Sequence, residues 1–287
     1  MILVGSISVC IFGVTVPSPG HTSQRTPKST QPIHRIDINT LAMRVCVISI
    51  ELAAILLAVS LVATARSDQE AWHEAIQYSD IQALDRLIET IPDVDTGSDK
   101  GKTALMVAAA KGEIPLMNRL IASGAKVNQR NHAGGTALMY AAQYGQGEAA
   151  GVLIDKGAEV NLQAAKGWSA LMIAVLKGHT HLVELLVENN ADTNVRDMLG
   201  WTPLMRATER GDMPLVKQLL GLTSVAVNAQ DHDGLTALHL AATFGNVEIT
   251  RLLLAHDAQV RLKDSNGNTA LMLAKHNGHD HLLKLLE

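Results

Sequence analysis

Four stretches of the 287-residue chain carry residue types suited to chemistry. Gly97-Ser98-Asp99-Lys100-Gly101-Lys102-Thr103 has the glycines, lysine and threonine with which a phosphate-binding loop cradles a nucleotide. That loop needs four residues between its glycines; this stretch has three, and no strand-like run precedes it. Gly145, Gly147 and Gly151 hint at a dinucleotide fingerprint, but the fingerprint opens after a strand, and the pattern before Gly145 is helical. His179 with His181, and His279 with His281, could each offer a metal two imidazoles, yet no cysteine joins either pair and the pairs lie too far apart to share an ion. No Ser, His and acid set converges. No catalytic residue, cofactor site or metal ligand is therefore assigned, and no enzymatic activity is expected.

The chain that would have to position such groups is instead periodic. Thr103, Thr136, Ser169, Thr202, Thr236 and Thr269 recur at spacings of 33, 33, 33, 34 and 33 residues, each followed by an Ala-Leu or Pro-Leu step. Nine residues after each comes a glycine: Gly112, Gly145, Gly178, Gly211, Gly245 and Gly278. The clearest copy, Val227 to Val260, reads as turn chemistry around Asp231 to Gly234, an N-capping Thr236, a short helix of Ala and Leu over 237–243, a break at Gly245 and a second helix over 247–255. Such a hairpin cannot bury its own apolar face, so neighbouring copies must stack. The pattern predicts that Pro115 and Pro214 fall in the first turn of second helices, where proline is tolerated. It also predicts that the extra residue of the 34 spacing lies in Gly221 to Ala226, beyond a helix end.

The unit resembles the ankyrin repeat, with its 33-residue period and Thr-Pro-Leu-His-x-Ala signature. Thr236-Ala237-Leu238-His239-Leu240-Ala241 matches best, and Asn161, Asn194 and Asn228 stand at the family's Val-Asn position. The other five marked repeats put Met where the family has His. This removes a polar group that bonds between repeats, and repacking by the adaptable thioether is expected. The resemblance covers about three quarters of the chain, is closest in kind to bacterial exported or periplasmic ankyrin-repeat proteins, and makes Gly-His at the two histidine pairs a structural feature. It implies an all-α ankyrin-repeat solenoid of helical hairpins with short β-turn fingers, about seven repeats long, with six of them in 101–287. Residues 66–100 read as a degenerate N-terminal capping repeat, with helices near 70–78 and 81–90 and with Trp72, Tyr78, Glu70, Glu74, Asp85 and Arg86 forming the cap.

Composition narrows the partners. Aromatic residues make up only 3% of the chain and charged residues 18%. Removing the leader's Arg25, Lys28, Arg35, Arg44, Asp37 and Glu51 from the totals leaves 20 basic and 26 acidic residues, which argues against nucleic-acid binding. Both cysteines, Cys10 and Cys46, lie in the leader. Residues 1–42 read as an N-terminal extension, disordered or untranslated. After them come a positive Met43-Arg44, an uncharged apolar run from Leu52 to Val62 and a small-x-small Ala63-Thr64-Ala65, the three parts of a signal peptide over 43–65. The rival is a signal anchor, for which Val45 to Ala65 is long enough, with Glu51 as the objection at about 2.5–3.5 kcal/mol in hydrocarbon. An exported, periplasmic or secreted protein is expected, with inner-membrane anchoring as the alternative and membrane contact only if the leader stays.

The resemblance implies binding on the concave face, at the turn tips and at the positions just before each glycine. Tyr144, Trp168, Trp201 and Phe244 fall at such positions, with Met198, Leu199 and Leu235 on tips beside them and Lys177 and Arg210 on the helices. These nine residues are the candidate partner-binding set, because exposed apolar groups with Trp, Tyr and Arg mark interaction surfaces. The alternative for the tryptophans is padding of one finger against the next. The expected function is a monomeric, non-enzymatic scaffold binding a protein partner in the cell envelope. A scaffold tethered by residues 41–65, or a secreted effector acting on a host protein, is the alternative.

Overall fold

The computed structural model describes residues 38–287. Residues 1–37 of the expected extension lie outside the described residues. The chain divides at Leu56/Leu57. A helix, α1, runs over Ile38–Tyr78, and the remaining helices belong to the second unit.

In that unit α2 (Ile81–Leu87) is followed by six hairpins: α3 (Ala104–Lys111) with α4 (Ile114–Ala122), α5 (Ala137–Tyr144) with α6 (Gly147–Asp155), α7 (Ala170–Lys177) with α8 (Thr180–Glu188), α9 (Pro203–Glu209) with α10 (Met213–Leu220), α11 (Ala237–Thr243) with α12 (Val247–Ala255), and α13 (Ala270–His276) with α14 (Leu283–Leu286). The first helices stack in chain order as one layer, α3 to α13, and α4, α6, α8, α10 and α12 form the other. No strand is present among the described residues. This is an all-α solenoid.

Each hairpin starts where the sequence marks it. The hydroxyls of Thr103, Thr136, Ser169, Thr202, Thr236 and Thr269 accept the backbone N–H three residues on, at 3.2–3.4 Å, satisfying a donor that the helix cannot. Gly145 shows why the hairpin breaks at glycine: it takes φ +70°, and a Cβ there would meet the His179 ring at 2.8 Å. Pro115 and Pro214 sit in the first turns of α4 and α10, and 221–226 follow the end of α10. Alanines 104, 108, 109, 141, 142, 174, 207, 241 and 274 are buried, which lets the first helices approach closely between leucines 105, 138, 171, 204 and 238.

Two ladders tie the copies together. Asn128, Asn161, Asn194 and Asn228 each accept a backbone N–H of the next repeat through Oδ1, at 2.7–2.9 Å, and donate through Nδ2 to a carbonyl of that repeat, at 2.7–3.0 Å. That is what the Val-Asn position does. At the finger end, single backbone bonds join successive turns, as from Ala165 to Ala133 at 2.8 Å and from Met198 to Lys166 at 2.8 Å.

Met106, Met139, Met172 and Met205 are buried at the histidine's place, whereas Met272 in the last repeat is exposed. His239 Nδ1 accepts the Thr236 N–H at 3.1 Å, so the proton is on Nε2, which donates to the Asn268 carbonyl of the next repeat at 3.2 Å. Met106 and Met205 place sulfur in the Nδ1 role, accepting the N–H of Thr103 and Thr202 at 3.5 and 3.4 Å. The local half of the histidine's work survives; the bond to the next repeat does not.

The N-terminal repeat differs from expectation. Residues 70–78 continue α1 rather than start a helix, and α2 ends at Leu87. Trp72 is not a solvent-facing cap: it is fully buried, with Nε1 donating to the Thr96 carbonyl at 3.0 Å, while Tyr78 is exposed. Ser79 stands where the other repeats have glycine and takes φ +56°. Near the other end, the second helix of the last repeat is broken into a 3-10 turn over Asp280–Leu282 and the short α14.

Candidate functional site

The surface that can take a partner is built from the five turns between hairpins and the ends of α3 to α13. A finger is normally held by its first residue. Asn131, Asp197, Asp231 and Asp264 each accept two backbone N–H groups of their own turn through Oδ1, at 2.7–3.0 Å. The turn at 164–168 lacks that side chain, since Ala164 takes the place. It is instead a 3-10 turn in which Lys166 adopts φ +68°.

Two tryptophans close consecutive fingers in identical register. Trp168 borders an apolar cavity of 290 Å³ toward the preceding repeat, lined by Tyr140, Met139, Ile173 and, at the equivalent finger position, Gly135. Gly135 contributes no side chain to that wall, where the following repeats carry Trp168 and Trp201. A second cavity of 280 Å³ adjoins it, sharing Gln143, Ile173 and Trp168 and reaching Leu176 and Lys177. Trp201 is covered. The Arg206 guanidinium lies over its ring at 4.3 Å, held by Asp197, whose Oδ2 also accepts Arg206 Nε at 2.9 Å, and by Glu209 at 3.1 Å. The Asp197 side chain is 0% exposed and that of Arg206 14% exposed.

The nine candidate residues thus divide. Tyr144 (55% exposed), Phe244 (55%), Met198 (60%) and Leu199 (49%) are large apolar groups open to solvent, and Lys177 and Arg210 are exposed beside them. Trp168, Trp201 and Leu235 are half-buried against the core rather than solvent-facing. Lys111, Tyr144, Lys177, Arg210 and Phe244 form one row, each closing its first helix, while Ala110, just before Lys111, is buried. Sequence reasoning missed Tyr140, Ile173 and Arg206. They share a register four residues after each marker, and that row faces the fingers.

The motifs set aside for chemistry have structural roles. Thr103 caps α3. His279 and His281 donate through Nε2 to the carbonyls of Thr243 and Gly245 at 3.0 and 3.2 Å, closing the end of α11, and His179 packs on Gly145 at the equivalent junction. Burial holds His239 below the ordinary imidazole value, outweighing the Asn268 carbonyl and the Asp264 charge. Lys102 is likewise held low, by burial and then by Lys111.

Comparison with known proteins agrees with this reading of the fold. Over 56 residues the chain is 46% identical to the potassium channel AKT1 of Oryza sativa subsp. indica, covering 20% of this chain and 6% of that one. Over 60 residues it is 37% identical to the Notch-regulated ankyrin repeat-containing protein of Xenopus tropicalis, covering 21% of this chain and 53% of that one. The chain therefore spans well under two thirds of the length of these relatives. A family model described as ankyrin repeats matches in three copies, over residues 72–164, 138–222 and 204–287. With the capped hairpins, the asparagine ladder and that match over most of its length, the chain belongs to the ankyrin-repeat family, whose stacked repeats form a protein–protein interaction module.

Proposed function

We propose that this chain is a non-enzymatic scaffold that grips a partner protein in the cell envelope, through its finger tips and the groove-facing ends of its first helices. The observation that carries the reading is the apolar cavity between Tyr140 and Trp168. Elsewhere on the first-helix ends and finger tips, Tyr144, Met198, Leu199 and Phe244 are also large apolar groups open to solvent, which the stack does not need for folding. Arg210 and Lys177 give that surface a charged rim.

Export by residues 43–65 rests on the leader. Leu52, Ile55, Leu56, Leu57, Val59, Leu61 and Val62 of α1 are all about 60% exposed or more. An apolar helix without a polar face belongs in a nonaqueous setting or is removed. Among the described residues no helix is long and apolar enough to cross a membrane. N-terminal sequencing of the exported protein separates removal of 43–65 from a tether at 41–65. A start at Arg66 supports cleavage, and retention of 41–65 overturns it.

The test of partner binding is affinity capture from the native cell envelope with the wild-type chain beside a Trp168→Ala, Phe244→Ala variant, both checked for helical content. Wild type should retain a protein that the folded variant loses. Equal capture by both would overturn the groove as the binding face.

A further inference from the structure

The charges around this groove are not distributed like those of the chain. The repeats are acidic overall, yet the groove between the Lys102 finger and α7 presents Lys102, Lys111, Lys166 and Lys177, and none of the four has a carboxylate partner among the described residues. Lys102 Nζ is held 3.2 Å from Ser79 Oγ and 5.9 Å from the centre of the Tyr140 ring; Lys166 Nζ is 5.9 Å from the centre of the Trp168 ring. Cations are thus paired with aromatic faces, an arrangement that leaves their outward side for an anion. Three cavities run along this stretch. One of 300 Å³ is lined by Lys100, Lys102 and Tyr140, with Asp99 as its one acid, and the next, of 290 Å³, by Tyr140, Lys166 and Trp168. The third, of 280 Å³, is lined by Trp168 and Lys177, so neighbours share a wall. At Trp201 the finger-facing cation, Arg206, is already spent on Asp197 and Glu209, which leaves Arg210 as that repeat's exposed cation.

We infer that this N-terminal half of the groove recognises an extended segment of a partner protein in which acidic residues alternate with apolar ones. Apolar side chains fill the cavities lined by Trp168, and carboxylates face Lys102, Lys166 and Lys177. The inference rests on the protein-binding reading above and specifies its partner. The apolar lining and the small number of lysines favour a peptide over a nucleic acid, which would need a longer basic track. The chain's own residues 1–37 do not suit the groove, because that stretch carries three basic residues, Arg25, Lys28 and Arg35, and one acidic residue, Asp37.

The test is fluorescence anisotropy on the full chain with four labelled probes: a short peptide alternating Glu and Phe, its Lys and Phe counterpart, an all-Glu peptide and a dT oligonucleotide. The Glu-Phe peptide should bind at least about tenfold tighter than the other three, and more weakly as salt rises. Lys166→Glu with Lys177→Glu should lose at least about tenfold, Trp168→Ala a similar factor, and Lys217→Glu on α10 nothing. Equal binding of the Lys-Phe or all-Glu peptide, tighter binding of the oligonucleotide, or indifference to the lysine reversal overturns the inference. Capture from the cell envelope separates it from its premise. Capture lost with Trp168→Ala but kept with the lysine reversal overturns the acidic segment alone, and capture kept with both overturns both.

Discussion

Trp168 and Trp201 occupy the same place in consecutive repeats, and the protein uses them in opposite ways. At Trp201 every polar group nearby is satisfied from within: Asp197 holds its own turn and Arg206, and Arg206 covers the indole. At Trp168 the turn is held by backbone bonds and by Gln163, whose Nε2 donates to the Gly167 carbonyl at 2.7 Å, and no such ion pair covers the indole. The turn lacks its acidic clamp, Gly135 adds no side chain to the cavity beside the ring, and the nearby lysines have no acid. Identical register therefore does not mean identical duty. A repeat can be closed on itself or open to a ligand by changes at two or three positions around one unchanged residue.

Four substitutions probe that difference. The largest effect should come from Asp197→Ala. It leaves the largely buried Arg206 guanidinium with Glu209 alone and frees two N–H groups of the turn, and urea denaturation should show a loss of about 3 kcal/mol. The equivalent change at the open finger, Ala164→Asp, restores the missing clamp and should not destabilise. Next comes the pair Trp201→Ala and Trp168→Ala. The first should cost about 1–2 kcal/mol more stability than the second, since it also uncovers Arg206, whereas the second should cost mainly binding. Equal losses would mean that both rings are padding.

The closed half should also respond to acid. With His239 neutral in the fold and held below its ordinary value of 6.5, the unfolded chain binds the extra proton. Stability is complete above that value and falls as pH drops through the interval below it, by up to about 1.4 kcal/mol per pH unit. Protonation would set an N–H on Nδ1 against the Thr236 donor. Asp264 adds a later loss. Burial raises its value, but N–H bonds from Asn268 and Asn266 and the nearby His239 outweigh it and leave the carboxyl below 3.8. His239→Met should flatten the upper interval in a pH series of thermal melts while leaving peptide binding at Trp168 unchanged. The smallest effect is expected at Thr208, whose buried hydroxyl has no partner. Thr208→Val keeps the shape and should gain about 1 kcal/mol in the same denaturation.

The fold was legible because its signals are local and repeated. A hydroxyl that caps the helix beginning one residue later, a glycine nine residues on and prolines in first turns act within one hairpin, and six copies removed the ambiguity. The candidate site was legible only by position. That Tyr144 and Phe244 are open follows from their place at a helix end. The contrast between Trp168 and Trp201 depends on Gly135, a repeat earlier, and on Arg206, whose reach to Asp197 needs the turn geometry. Trp72 was misjudged for a similar reason: the missing Thr and Gly made its repeat look peripheral, although Ser79 supplies the positive φ and the indole seals the stack.

The asparagine ladder has one more consequence. Each clamp grips only main-chain atoms of the following repeat, at 2.7–3.0 Å, and so makes no demand on that repeat's side chains. The ladder is generic, while pairs such as Arg119–Asp85 and Thr193–Ser224 are particular to their joints. Duplicating, deleting or reordering units keeps the ladder and asks for adjustment only at such pairs, which lets recombination change what the groove binds.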